Sequence, residues 1–350
     1  MVARLDQRLS VVRQLSLIAA VTVSACGNAI AQGPRSTPSI FAPSSTPAQS
    51  ILSLSFFVLA ITGGIFLTVG GILTYVIFRY RQHGKDDTVE PPQIYGSTQV
   101  EIAWTVIPVL IVVVLFLTTA RMIFAIQDAS RPKSAVGVTV IGHQYWWEFN
   151  YPDLGIHAVN ELHVPLSSKH DPKPTYLKLL SADVMHSFWV PQLGGKTDLI
   201  PNHENAMWID PLEPGMYVGQ CAQFCGVEHA RMLLRVYVQS PEDFATWAKN
   251  QKLPAVQDER VAAGRRVYET QACVNCHTIR GTGSTGRFGP DLTHLMSRDT
   301  IAAGAALNTP QNLRGWIENP DKFKQGSLMP AMHLTDQQLD QITAYLGTLK

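Results

Sequence analysis

Two short cysteine segments carry the chemistry of this chain. In the first, Cys221-Ala-Gln-Phe-Cys225-Gly-Val-Glu-His229-Ala-Arg-Met232 gathers two thiolates, an imidazole and a thioether within twelve residues. Such soft donors select copper over the hard cations, and imidazole suits copper as well. A mononuclear blue site uses one cysteine, two histidines and a weak Met, whereas two cysteines four apart can bridge a pair of metal ions. The competing readings are a zinc site and a disulfide. The Met, the cysteine spacing and an upstream histidine, His186 in Asp183-Val-Met-His-Ser-Phe-Trp-Val-Pro191, weigh against both. In the second segment, Cys273-Val-Asn-Cys276-His277 is the haem-attachment pattern: two thioethers grip a porphyrin and the adjacent His reaches the iron. The alternative there is a chance pair or a redox dithiol. A sixth iron ligand must come from downstream, where Met296, Met329, Met332, His294 and His333 are available.

The rest of the chain reads as an exported, membrane-anchored frame for these groups. The 350 residues are long enough for two or three domains, and four of the five cysteines fall in the two close pairs, which suits cofactor ligation better than a disulfide framework. With 28 basic against 27 acidic residues, no basic field argues for nucleic acid. Residues 1–31 read as a secretory signal, with Arg4, Arg8 and Arg13 before the apolar Leu15 to Val23. Cleavage after Ala31 competes with a lipoprotein-type site before Cys26. A Pro/Ser/Thr-rich stretch at 32–50 has linker composition. Within 51–128, the uncharged runs Ile51 to Phe78 and Ile102 to Ala120 each reach spanning length and predict a transmembrane hairpin. The basic cluster from Arg79 to Lys85 between them favours the cytoplasmic side, which places both termini outside. Pro108 should kink the second span unless neighbouring helices or side chains re-satisfy the freed carbonyl. Short apolar runs separated by Pro, Gly and Asn turns predict an all-β barrel or sandwich in a domain at 129–250, and helical spacing follows at 251–350.

At these residues the chain resembles subunit II of the haem-copper cytochrome c oxidases. The match covers about 51–240: the two-span hairpin, the Glu101-Ile-Ala-Trp-Thr-Val-Ile-Pro108 start of the second span, the His186-Ser-Phe-Trp-Val-Pro191 strand and the whole cysteine loop. The resemblance implies a cupredoxin-like barrel and a dinuclear copper centre, called CuA. Cys221 and Cys225 would bridge both ions, His186 and Met232 would complete one, and His229 with the Gln223 backbone carbonyl the other. The family usually has Glu at position 223, whose carboxylate also helps hold a magnesium ion against subunit I; Gln223 lacks that charge, so the magnesium stays open. Gly142-His-Gln-Tyr145-Trp146-Trp147 resembles the patch where the family receives electrons, with Tyr145 where Trp is common; barrel packing is the plainer reading of these rings. Glu101 matches a Glu at the mouth of the family's proton pathway into subunit I. Its bland reading is a solvated acid at a helix start.

The C-terminal segment looks like an all-α class I cytochrome c domain. In that resemblance Gly326-Ser-Leu-Met329-Pro330-Ala331 matches the distal-ligand loop, so Met329 is the expected sixth ligand and Met332 the rival. The chain is thus expected to be the subunit that receives electrons from a cytochrome c or a quinol-oxidising complex, through a covalent haem c and the copper pair, for a separate subunit I. Subunit III is a further expected partner, in a bacterial inner membrane with both soluble domains on the periplasmic side. A quinol-oxidase subunit would have lost the copper ligands. A nitric oxide reductase-like complex or a free-standing redox carrier remains the alternative.

Overall fold

The computed structural model describes residues 38–81, 92–127, 135–170 and 172–350. The expected signal segment, Cys26 and most of the basic cluster lie outside the described residues. Two long helices come first, α1 (Thr46–Arg79) and α2 (Thr98–Gln127). Both are apolar all round, and α2 buries none of its side chains against protein, which is the pattern of a helix surrounded by lipid. At 1.5 Å per residue α1 is about 51 Å long, well beyond the roughly 30 Å of a hydrocarbon core. Helix α2 runs continuously through Pro108.

The helix α1 starts at Thr46, inside the stretch whose composition reads as linker. The cause is local capping: Ser45 Oγ accepts from the Ala48 amide at 3.3 Å, and proline sits in the first turn. The segment before it is also docked. Ser45 Oγ donates to the Leu193 carbonyl at 2.5 Å, and Thr46 Oγ1 bonds Asp210 at 2.6 Å. The end of α2 is tied to the same barrel by Trp208, whose indole donates to the Ile126 carbonyl at 2.6 Å.

The barrel consists of two five-stranded sheets. Strands β1 (Val136–His143), β2 (Trp146–Tyr151), β3 (Ile156–Val159), β5 (Thr175–Ser181) and β8 (Asn205–Ile209) form one, in the order β3-β2-β1-β5-β8. Strands β4 (Glu161–Pro165), β6 (His186–Trp189), β7 (Thr197–Leu199), β9 (Gly215–Cys221) and β10 (Leu233–Gln239) form the other, in the order β4-β10-β9-β6-β7. Strict alternation turns Trp147, Phe149 and Tyr151 of β2 inward, and Leu234, Val236 and Val238 of β10 meet them in one core. Helix α3 (Pro241–Gln251) lays Phe244 and Ala248 on that core and leads out of the barrel.

The C-terminal domain is helical: α4 (Ala262–Thr270), the one-turn α5 (Cys273–Cys276), α6 (Pro310–Glu318) and α7 (Asp336–Leu346), with a two-residue β ribbon, Thr300–Ile301 against Ala306–Leu307. Its own core joins Tyr268, Leu313, Ile317, Leu339, Ile342 and Leu346. Helices α4 and α7 cross at Gly264, where a Cβ would stand 1.9 Å from the Gln341 carbonyl oxygen. Only a residue without a side chain allows that approach.

The domains meet through polar contacts from β4 and β10. The Asp299 amide donates to Glu161 Oε1 at 2.8 Å, Arg235 reaches Thr300 Oγ1 at 2.5 Å, and the Tyr237 hydroxyl bonds Asp299.

Candidate copper and haem centres

The copper-loop donors come from the ends of three neighbouring strands. His186 opens β6, Cys221 closes β9, and Met232 immediately precedes β10, so the sheet order β10-β9-β6 brings them to one rim. Cys225 and His229 stand on the loop between β9 and β10. The distances form a chain: His186 Nδ1 to Cys221 Sγ 3.9 Å, Cys221 Sγ to Cys225 Sγ 3.9 Å, and Cys225 Sγ to His229 Nδ1 3.8 Å. Met232 Sδ lies 3.9 Å from Cys225 Sγ, and the Gln223 carbonyl oxygen 3.1 Å from Cys221 Sγ. Donors bound tetrahedrally at about 2.0–2.3 Å from a metal stand roughly 3.3–3.8 Å apart, so these distances are close to the spacing of a ligand shell. His186, Cys221 and Cys225 are buried and their donor atoms lie within 4.8 Å of one another. The set fits a soft metal.

The surroundings prepare these donors. Asp183 Oδ1 accepts from His186 Nε2 at 2.7 Å, which leaves Nδ1 facing the sulfurs. Gly142 of β1 makes room for the same ring, since a Cβ there would come within 2.8 Å of it. Burial opposes a charge on His186, but Asp183 and Cys221 outweigh it and hold its pKa above the ordinary value. The two thiols share a proton: the hydrogen bond with Cys225 pulls Cys221 far below the usual thiol range, and the same bond pushes Cys225 up.

Cys273, Cys276, His277, Met329 and Met332 line one open cavity. Apolar walls come from Leu292, Leu295, Ile301, Leu313 and Trp316. His277 Nδ1 donates to the Pro290 carbonyl at 2.8 Å, so Nε2 is the free ligand atom, and a Cβ on Gly289 would press within 2.7 Å of the ring. Burial holds His277 below its ordinary pKa and so neutral, as a metal ligand must be. The residues fit a thioether-bound haem. His294 is turned elsewhere: Nδ1 and Nε2 lie 2.9 and 3.1 Å from the carbonyls of Lys350 and Leu253.

Tyr145, in the turn between β1 and β2, and Trp146, which opens β2, also line the haem cavity although they belong to the copper barrel. Trp146 stacks on His143 with centroids 4.0 Å apart. Gln144 Nε2 donates to the Cys225 carbonyl at 2.6 Å, so the same turn touches the copper loop. Glu101 is brought into neither cluster. It stands exposed in the first turn of α2, at the end away from the barrel.

Sequence reasoning missed three groups here. Asp183 carried a signal, being a carboxylate three residues before a ligand histidine. Lys324 and Arg298 carried none, because their roles depend on which surface the haem domain turns to the barrel. Arg298 is half-buried and bonds the Asp291 carbonyl in the cavity wall, and desolvation lowers its pKa.

Three family models match the chain. "Cytochrome C oxidase subunit II, transmembrane domain" matches residues 35–135, "Cytochrome C oxidase subunit II, periplasmic domain" matches 136–239, and "Cytochrome c" matches 261–350. A cytochrome c oxidase subunit 2 of Alkalihalophilus pseudofirmus is 35% identical over 305 residues, 85% of either chain. A quinol oxidase subunit 2 of Bacillus spizizenii is 32% identical over 241 residues, 67% of this chain and 70% of that one. The crystal structure of the periplasmic domain of subunit II of cytochrome oxidase of Bradyrhizobium japonicum is 30% identical, covers 35% of this chain and 96% of its own, and has a TM-score of 0.32. The chain, a membrane-anchored component of an oxidoreductase complex with a copper-type domain and a haem-type domain, belongs to the cytochrome c oxidase subunit II family.

Proposed function

We propose that this chain receives electrons from a cytochrome c or a quinol-oxidising complex and relays them, through its own haem c and a dinuclear copper centre, to the haem of subunit I, where oxygen is reduced. When bound, the two groups supply one-electron redox chemistry at fixed positions. The observation that carries the reading is the segment Gln144–Tyr145–Trp146 at the β1–β2 hairpin, which lines the haem cavity on one side and bonds the Cys225 carbonyl on the other.

In this reading Cys221 and Cys225 hold both coppers, His186 and Met232 complete one, and His229 with the Gln223 carbonyl completes the other. The pair of sulfurs at the centre of the donor chain supports two metal positions over one. Gln223 offers no carboxylate, so magnesium at the subunit I boundary would need ligands from elsewhere. Cys273 and Cys276 hold the haem, His277 and Met329 its iron. The barrel rigidifies the copper donors through Asp183 and Gly142, which limits ligand movement when charge changes. A covalently fused haem domain replaces one diffusional docking step by a high local concentration. Subunits I and III are the partners, the bacterial inner membrane the location, and the periplasmic side that of both soluble domains.

The test is purification from solubilised membranes. Haem a absorbance should travel with this chain together with about two coppers per chain, and Cys221→Ser should abolish a purple mixed-valence spectrum. An intact chain without any subunit I haem, or with one copper and a blue colour, refutes the reading. Glu101 is proposed to stand at a proton pathway into subunit I. Glu101→Gln should then slow proton uptake with electron arrival intact, and normal turnover would sink that role.

A further inference from the structure

Lys324 lies in the haem domain, after the turn Pro320–Lys322, and is only 3% exposed. A buried ammonium is uncommon and costly unless paired. Its partners belong to the other domain. Nζ donates to the Tyr145 carbonyl oxygen at 2.7 Å and stands 5.8 Å from the centre of the Tyr145 ring, within reach of a cation–π contact. Glu228 of the copper loop, a buried carboxylate whose Oε2 lies 3.9 Å from Arg231 Nε, adds a field that favours the charge on Lys324.

The preceding residue grips the copper loop directly. Arg231, next to Met232, donates from Nη1 to the Phe323 carbonyl at 2.8 Å. Consecutive haem-domain residues therefore hold two separate pieces of the barrel rim. On the haem side, the Ser327 amide donates to the Lys324 carbonyl at 3.1 Å, and the Met329 amide to Ser327 Oγ at 3.3 Å. The chain from Lys324 to Met329 is thus a hydrogen-bonded turn that leads into the distal side of the cavity. On the copper side, the turn that Lys324 holds is bonded onward through Gln144 to the Cys225 carbonyl.

We infer that Lys324 is a positioning residue: it fastens the loop carrying Met329 to the Tyr145 turn and so fixes the haem cavity relative to the copper loop. The inference rests on the relay proposed above. A buried charge is a poor way to gain stability, since apolar residues of similar volume pack as well or better. It is a good way to select one arrangement, because an ammonium must be met by oriented acceptors whereas an apolar contact can slide. The contacts around it are directional: a carbonyl and a ring face, both from the copper domain.

The experiment compares the full-length holoprotein with Lys324→Met, which keeps the stem and removes the charge, and with Lys324→Gln, which keeps a donor for the Tyr145 carbonyl. Exposed Lys322→Met is the control. Amide hydrogen exchange is read at 143–147 and 320–330, and flash photoreduction of the haem gives the rate of electron arrival at copper. Copper content and both absorption spectra are recorded alongside. Loss of a charge-assisted hydrogen bond should speed exchange in both segments and slow the transfer by about tenfold or more in Lys324→Met. Lys324→Gln should fall between, and Lys322→Met should match the unaltered chain. Unchanged exchange and transfer in Lys324→Met, or the same change in Lys322→Met, overturns the inference. If Lys324→Met does not accumulate as holoprotein, Lys324→Gln decides alone: wild-type exchange and transfer overturn the inference, and a change in both supports it. Absence of copper or haem from the unaltered chain would instead overturn the relay.

Discussion

Methionine 329 and Methionine 332 stand three residues apart, both half-buried and both on the wall of the haem cavity. Cavity geometry alone does not separate them, whereas the chemistry of the iron does. A thioether ligand keeps a haem at a higher potential than an imidazole in the same place. Met329→His is therefore expected to lower the midpoint potential, measured by redox titration of the haem band, while an unchanged midpoint would transfer the role to Met332. At the same scale, the donors around copper show how a ligand is readied by a neighbour that binds no metal. Asp183 orients the His186 ring, and the absent side chain of Gly142 gives that ring its space. The spacing of the cysteines was legible in the sequence. The roles of Asp183 and Gly142 were less so, because one depends on a rotamer and the other on the pairing of two sheets.

At the scale of elements, the haem domain depends on the crossing of α4 and α7. The helical periodicity of each was readable from Tyr268, Leu339, Ile342 and Leu346, which all turn inward. The angle and depth of the crossing were not, since they follow from the backbone contact at Gly264. Gly264→Ala places a methyl against the Gln341 carbonyl and must push the helices apart. Overpacking of this kind costs about 1–3 kcal/mol. The expected outcome is a lower melting temperature for the haem absorbance, with the copper spectrum melting where it did before. Equal loss of both would mean that the domains unfold as one unit. The start of α1 teaches the converse lesson. Proline- and serine-rich composition suggested a linker, yet Ser45 and Pro47 are the residues that start helices.

For the molecule as a whole, the boundary between barrel and haem domain carries a titratable group. Glu161 of β4 is buried, and burial pushes its carboxyl up to about 7 although the Asp299 amide and the Arg298 charge pull the other way. A carboxyl whose folded pKa is raised contributes stability that is fully present below its ordinary value of 4.5 and lost as pH rises through about 7. Glu161→Gln keeps an acceptor for the Asp299 amide and removes the charge. Above pH 7 it should stabilise the assembled domains by up to about 3 kcal/mol, and near pH 4 the two proteins should melt alike. His163, two residues on, runs in the opposite direction: burial holds it down to about 4, so its contribution is lost as pH falls from 6.5. Thermal melts of variant and unaltered chain at matched pH separate the two, and equal melting above pH 7 would show that Glu161 meets water.

What the sequence alone determined about this protein is whatever depends on short spacing and composition. Two cysteines four apart with a His and a Met select soft metal, a Cys-x-x-Cys-His segment attaches haem, and long uncharged runs need lipid. These are local rules, and each can be read in fewer than about 30 residues. Tertiary structure decided how the two centres face each other. The turn at Tyr145 and the buried Lys324 are 179 positions apart in the chain, and no periodicity links them. Burial of a charge and the match of oriented acceptors across a domain boundary exist only once both surfaces are built.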